Sequence, residues 1–243
     1  MGDFDQGPIL VTGAGGAIGG AVVRRLKRLG ADVVVSERSA ESLSALTRDY
    51  SGLRLLPFEL SSEEDVRSAL EGLDVWGVVN CAGLGGVVAP TVDSDIAVFD
   101  QVMAVNTRGA LLVTQCAARS MIRLGKGGAI VNVSSQASLV ALDGHVSYGA
   151  SKAALDSITR VSALELGRHN IRVNSVNPTV VMSPMSASYW GRPEIEGPTL
   201  ARMPLGRWAT PDEIAAPIVF LLSNDASMIT GVSLPVDGGY TCV

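Results

Sequence analysis

The chain has little cysteine, little histidine and few aromatics. Its cysteines, Cys81, Cys116 and Cys242, are widely spaced and without metal-ligand spacing, and only His145 and His169 are available to join them. Reduced thiols and no metal are therefore expected. Lysine and arginine form no block and the formal net charge is −5, which argues against nucleic acid or an anionic membrane surface and favours small molecules as partners. The N-terminal MGDFDQGP is acidic and has no apolar segment long enough to export or anchor the chain. No membrane is expected, and the cytoplasm is the default location. Low-complexity tracts and short fixed repeats are lacking as well.

Core-forming sequence is abundant. Of 243 residues, 47% are hydrophobic, which suits one α/β domain, residues 1–243, with a large core. Apolar β-branched runs alternate with amphipathic stretches, so strands are expected at 9–12, 32–36, 53–58, 75–80, 129–134, 172–176 and 232–236, with helices between most of them. A long helical pattern covers Ile96–Leu124. This is the rhythm of βαβ units, and the expected fold class is a doubly wound, Rossmann-type parallel sheet of seven strands with helices on both faces.

The first strand runs into TGAGGAIG, residues 12–19, and then into a helical stretch to about Leu29. Glycines there permit close backbone approach, and the helix start offers free N–H groups and a positive dipole end to a pyrophosphate. A tight turn without a ligand is the plainer reading of that motif alone. Glu37, eighteen residues beyond Gly19 and just after the second strand, shifts the balance, because a carboxylate there accepts hydrogen bonds from an adenosine ribose and repels a 2′-phosphate. Position 16 is Gly16 rather than a basic residue, so both features favour NAD(H). Arg38 points toward NADP(H) instead, if its guanidinium reaches a 2′-phosphate.

Two later stretches extend the pattern. VVNCAG, residues 78–83, ends the fourth strand in Asn80 and a turn whose small side chains leave room for adenosine; an ordinary Asn-stabilised turn is the alternative. Asn106 sits in the first half of the long helical pattern, either bridging Lys152 through water or bonding a neighbouring carbonyl. The densest chemistry lies at 130–152, IVNVSSQASLVALDGHVSYGASK. An apolar strand ends in Ser134 and Ser135, and after the Asp143-Gly144 turn Tyr148 and Lys152 stand four apart on one helix face. The ammonium is expected to draw the phenol pKa down toward neutrality, making Tyr148 a general acid/base, with Ser135 bonding the substrate oxygen.

Together these stretches resemble the short-chain dehydrogenase/reductase family over essentially the whole chain. The family's glycine turn corresponds to Gly13, Gly15, Gly16, Ala17, Ile18 and Gly19, and its Asn-x-Ala-Gly turn to Asn80, Ala82 and Gly83. Its catalytic tetrad corresponds to Asn106, Ser135, Tyr148 and Lys152. The resemblance implies that Tyr148 is the acid/base, that Ser135 polarises the carbonyl, and that Lys152 binds the nicotinamide ribose and tunes Tyr148. It also implies that Asn106 supports a relay water, that Pro178, Val181 and Ser183 hold the nicotinamide, and that Glu59 and Leu60 approach adenine. Three positions depart from the family pattern: Ala17 replaces a glycine beside the pyrophosphate, Thr179 follows Pro178 where glycine is usual, and Glu59 replaces an aspartate.

Within the family the likeness is greatest to the L-xylulose and dicarbonyl reductase subgroup, through NVSSQ at 132–136, His145, NPTVVM at 177–182 and Trp190. This implies a substrate pocket in which Gln136 and His145 bond polyol hydroxyls and Trp190 forms an apolar wall; helix-entry packing for His145 and lid packing for Trp190 are the alternatives. Residues 183–203 are read as a substrate lid, and Thr210-Pro211-Asp212-Glu213 as a capped helix start. The family resemblance also implies a homotetramer. The expected activity is interconversion of a small polyol with its ketose, such as xylitol and L-xylulose. NADPH-driven reduction of dicarbonyls or 3-oxoacyl thioesters is the alternative, and a catalytically silent dinucleotide sensor the alternative of another class.

Overall fold

The computed structural model describes residues 4–38, 48, 50 and 52–243. Seven strands, β1 (Ile9–Thr12), β2 (Val33–Ser36), β3 (Arg54–Leu55), β4 (Gly77–Asn80), β5 (Gly128–Val133), β6 (Ile171–Pro178) and β7 (Ser233–Val236), form one sheet in the order β3-β2-β1-β4-β5-β6-β7. Every pairing is parallel. Among the described residues the helices are α1 (Ala17–Arg28), α2 (Glu63–Leu70), α3 (Ile96–Met103), α4 (Ala110–Leu124), α5 (Val146–Leu166), α6 (Pro184–Trp190), α7 (Pro193–Ala201) and α8 (Pro211–Leu222), besides single turns. The doubly wound sheet expected from the sequence is thus observed.

Residue alternation within the strands builds two cores. Ile9, Val11, Val33, Val35, Val79 and Val131 face Val22, Val23 and Leu26 of α1 and Ile214, Ile218 and Leu222 of α8. Leu10, Val34, Val78, Ile130 and Val173 face the other way, onto Val66, Leu112, Val113 and Met121. Buried on both faces, the central strands tolerate apolar side chains at every position, which is why they read as continuous runs. Their polar residues collect at the carboxyl ends, where the strand order switches sides between β1 and β4 and opens a crevice.

Two sequence expectations are corrected here, and a third stretch gains definition. The strand expected at 53–58 is only Arg54–Leu55, although Leu56 and Phe58 still donate to the Val35 and Glu37 carbonyls at 2.9 and 3.1 Å, with Pro57 turned to the open edge of the sheet where no ladder bond is needed. The long helix is interrupted by a wider π-helical turn at Ala104–Gly109. Ile96–Leu124 is long and apolar enough, by length and composition, to cross a membrane; here α4 lies against α2, α5, β4 and β5. Finally, 183–203 is mostly two short helices, α6 with a Ser183–Ser186 capping box and α7 with Pro193 in its first turn.

Other helix starts follow the sequence closely. The Thr210 hydroxyl and Glu213 form a reciprocal capping box at α8, and the Ser62 hydroxyl accepts from Asp65 N–H at α2. The far end of α8 is held from the sheet. Arg172 on β6 donates to the carbonyls of Leu221, Leu222 and Ser223 at 2.6, 2.9 and 3.0 Å. These are the carbonyls a helix end leaves without partners, and a cation there also complements the helix dipole. Arg172→Ala is expected to lower stability by about 2–3 kcal/mol, read as a lower urea midpoint with unchanged slope.

Candidate active site

A cleft of about 900 Å³ runs along the carboxyl edge of the sheet. At one end lie Gly13, Gly16, Ala17, Ile18 and Gly19, with Glu37, Arg38, Glu59 and Leu60 beside them. Gly13 has φ +65°, and a Cβ on it would stand 2.6 Å from Ala82 Cα. A Cβ on Gly19 would stand 2.1 Å from the Gly13 carbonyl oxygen. The turn is therefore closed to side chains. Gly16 caps α1 with no side-chain hydrogen bond, which leaves the first amides of α1 for an anion to satisfy. These features fit the pyrophosphate of a dinucleotide. The Glu37 carboxylate accepts the Gly15 N–H at 3.0 Å, so this acid braces the glycine turn.

At the other end the cleft is lined by Ser135, Gln136, His145, Tyr148, Lys152, Pro178, Val181, Ser183 and Trp190. All the expected substrate residues are thus brought together with the expected nicotinamide residues. Ser135 lies beside Tyr148, where its hydroxyl acts to lower the phenol pKa. Gln136 is only 1% exposed, and neither its Oε1 nor its Nε2 has a hydrogen-bond partner among the described residues. A buried amide with both ends unsatisfied costs about 1–3 kcal/mol per group. His145 stacks on Trp190 with centroids 5.3 Å apart, and Tyr189 meets both rings edge-on at 5.6 and 5.0 Å. Trp208 continues the cluster at 6.2 Å from Trp190 and donates to Glu196 at 2.8 Å. The segment carrying Tyr189 and Trp190 is thus pinned by aromatic packing.

Three expected residues do not line the cleft. Gly15 is turned toward Glu37. Asn80 lies under the sheet end, donating to Asn132 Oδ1 at 2.8 Å and Thr114 Oγ1 at 3.2 Å, so it ties β4 to β5 and α4. Asn106, 1% exposed, is gripped by the Leu84 N–H at 2.7 Å, the Leu84 carbonyl at 2.9 Å and Ser151 Oγ at 3.0 Å. The π-helical turn presents it there, and Gly83 is squeezed between Asn106 Oδ1 and Lys152 Nζ, 3.2 and 3.4 Å from where a Cβ would be. Arg192, Leu84, Leu142 and Thr179 also line the cleft. They were not foreseen, because each lies in a connection whose path is set by distant contacts.

The electrostatics differ from the expectation. Lys152 Nζ donates to the Val133 carbonyl at 2.8 Å and lies 5.6 Å from the centre of the Tyr148 ring. Burial pushes the Tyr148 phenol up from its ordinary value, against the lowering effect of the Ser135 hydrogen bond. Burial also brings Lys152 down to about 8, with Cys81 and Asp156 opposing. Desolvation dominates for both groups, so Tyr148 is held protonated rather than drawn toward neutrality. Burial raises the Cys81 thiol to about 12, which makes it inert beside the cleft.

A family model described as enoyl-(acyl carrier protein) reductase matches residues 13–241. The chain is 44% identical to an L-xylulose reductase of Mus musculus over 232 residues, covering 95% of each chain. It is 42% identical to one of Caenorhabditis elegans over 247 residues, covering 98% of this chain and 97% of that one. A solved short-chain type dehydrogenase/reductase from Mycobacterium ulcerans superposes with a TM-score of 0.94 at 30% identity, covering 99% of this chain and 91% of the other. The chain belongs to the short-chain dehydrogenase/reductase family. As a member of that family it is an oxidoreductase of the CH–OH/C=O pair, in a family that uses NAD or NADP.

Because the glycine turn of this dehydrogenase/reductase has no room for a methyl at position 19, Gly19→Ala is expected to weaken NADH binding by about tenfold or more. Calorimetric titration of the folded variant checks this; wild-type affinity would place the dinucleotide elsewhere.

Proposed function

We propose that this enzyme interconverts a small polyol and its ketose, of which xylitol and L-xylulose are the reference pair, with NAD(H) preferred over NADP(H). The observation that carries the substrate class is Gln136, a buried amide with both polar ends unpaired on the cleft wall next to Ser135. A site built to bond hydroxyls rejects analogues that lack them, because its polar groups are then left unpaired. The L-xylulose reductase relatives support the same class. Residues 1–243 act as one domain in this reading, with 183–203 as the lid over the substrate.

The roles follow from position and charge. When bound, the dinucleotide supplies or accepts the hydride. Ser135 bonds the substrate oxygen and Tyr148 delivers or removes its proton. Lys152 lies beside Tyr148 at the strand end, where it would hold the nicotinamide ribose of a bound dinucleotide, and Asn106 holds the segment at Leu84 that flanks them. Glu37 and the absence of a basic residue at position 16 favour the unphosphorylated ribose, with Arg38 exposed alongside. Pro178, Val181 and Ser183 line the nicotinamide half of the cleft, Glu59 and Leu60 the adenine half. A homotetramer accords with the apolar surface left exposed at Val161, Leu164 and Phe220, and a cytoplasmic location remains part of this proposal.

A second reading has one specific support. Arg192 lines the substrate half, stacked 5.5 Å above the Tyr189 ring with Nε donating to the Ser188 carbonyl at 2.9 Å. The carboxylates lining the cleft, Glu37 and Glu59, are beside the glycine turn instead. That layout suits a hydroxy or oxo acid whose carboxylate meets Arg192.

Initial rates with NADH and NADPH on L-xylulose, diacetyl, an acetoacetyl thioester and an oxo acid separate these readings. Turnover of the sugar with NADH is the expected result, and turnover confined to diacetyl or the thioester would overturn it. Tyr148→Phe is expected to lower kcat by about 10²–10⁴-fold while leaving NADH binding intact. Carbonyl reduction needs Tyr148 protonated and Lys152 charged. Since Tyr148 is raised and Lys152 brought down to about 8, kcat/KM for reduction should hold steady below pH 8 and fall above it. A fall on the acid side alone would contradict that assignment.

A further inference from the structure

We propose that Asp156 is a positioning residue of the reaction: its buried carboxylate anchors the loop that carries Ser135 and places a negative charge one helical turn beyond Lys152. The inference rests on the roles of Ser135, Tyr148 and Lys152 given above and adds a group that touches neither substrate nor cofactor.

Tyr148, Lys152 and Asp156 follow each other at intervals of four on α5, so all three lie on the face turned to the strand ends. Asp156 is 3% exposed. Its Oδ2 accepts from Ser138 Oγ at 2.6 Å and from Asn177 Nδ2 at 2.7 Å, and its Oδ1 accepts from Ser175 Oγ at 2.8 Å. Asn177 Nδ2 also lies 2.8 Å from Ser138 Oγ and 3.2 Å from the Ser135 carbonyl, and Ser138 Oγ lies 2.7 Å from that carbonyl. The donors have one proton each on Ser138 and Ser175 and two on Asn177. A carboxylate takes three of them, and the second Asn177 proton is shared between Ser138 Oγ and the Ser135 carbonyl. Every donor is used, and the backbone of Ser135 is held through Asn177 by a group that is itself held by Asp156.

The same carboxylate acts on Lys152. Among the described residues, the titratable groups that face the Lys152 ammonium are Tyr148 and Asp156 from α5 and Cys81 after β4, with the Val133 carbonyl from β5 as its hydrogen-bond acceptor. Burial works against the ammonium and Asp156 works for it. A residue that merely pinned α5 to β6 would cost stability when removed. It would not separate turnover from cofactor affinity, nor move the titration of Lys152.

Asp156→Asn loses the charge and turns an amide toward donors. Its kcat is expected to fall about 10–100-fold, with the NADH dissociation constant within about twofold of wild type. The alkaline limb of kcat/KM, and the Lys152 titration followed by NMR of 13Cε-labelled lysine, should both move to lower pH. Ser138→Ala keeps the charge but removes one link to the loop, so its kcat should fall less and its Lys152 titration should stay in place. A folded Asp156→Asn with wild-type kcat and wild-type Lys152 titration overturns the proposal. If that variant does not fold, wild-type kcat in Ser138→Ala does so. A wild-type enzyme that turns over none of the substrates overturns the proposed function instead, and the NMR titration then still decides whether Asp156 holds the charge on Lys152.

Discussion

A seam of buried hydrogen bonds fastens α5 to the carboxyl ends of β5 and β6, and the geometry of the cleft depends on it. Lys152 Nζ reaches the Val133 carbonyl, the Ser134 hydroxyl reaches the Lys152 carbonyl, and Asn132 Nδ2 reaches Thr159 Oγ1. Asp156 adds Ser138, Ser175 and Asn177. Each bond contributes only about 1 kcal/mol net, but leaving any of these groups unpaired in the interior costs more than making the bond gains. The seam therefore specifies one register between helix and sheet. That register sets Tyr148 beside Ser135 at the mouth of the sheet rather than one turn away.

Burial, more than charge pairing, sets the chemistry of this end of the cleft. The phenol of Tyr148 is raised and the ammonium of Lys152 lowered by the same loss of solvent. Both shifts favour the neutral forms. In the proposed reaction the protonated phenol is the form that donates to a carbonyl oxygen, and the remaining charge on Lys152 is conserved by groups placed around it. At the opposite end the acids Glu37 and Glu59 are occupied in bracing turns, Glu37 through the Gly15 N–H and Glu59 through Ser61 at 3.0 and 2.9 Å. These residues shape the cleft as well as charge it.

The helical run over the sheet shows how a local irregularity serves a distant group. A regular α-helix through 104–109 would rotate Asn106 away from Leu84 and Ser151. The wider π-helical turn brings its amide to both, and Thr107 Oγ1 adds a bond to the Ser151 carbonyl at 3.1 Å. Such turns recur at functional sites because they re-aim a side chain without ending the helix. Asn106 joins the strand-end loop at Leu84 to α5 at Ser151, whose hydroxyl donates to the Tyr148 carbonyl at 2.7 Å.

The amino-acid order by itself determined whatever rests on near neighbours. The βαβ rhythm, the glycine turn, the Thr210 cap and the shared face of Tyr148 and Lys152 are set by contacts within a few residues, and each is present as read. The sheet class followed because strands buried on both faces must be apolar throughout. Only the tertiary structure decided the rest. The shortening of β3, the π-helical turn and the helices within 183–203 depend on which elements lie alongside. The aromatic cluster of His145, Trp190 and Trp208 and the carboxylate of Asp156 join residues far apart in the chain. The direction of the Tyr148 shift was misread for the same reason: helical spacing tells which groups are near each other, whereas desolvation depends on how much of the whole fold closes over them.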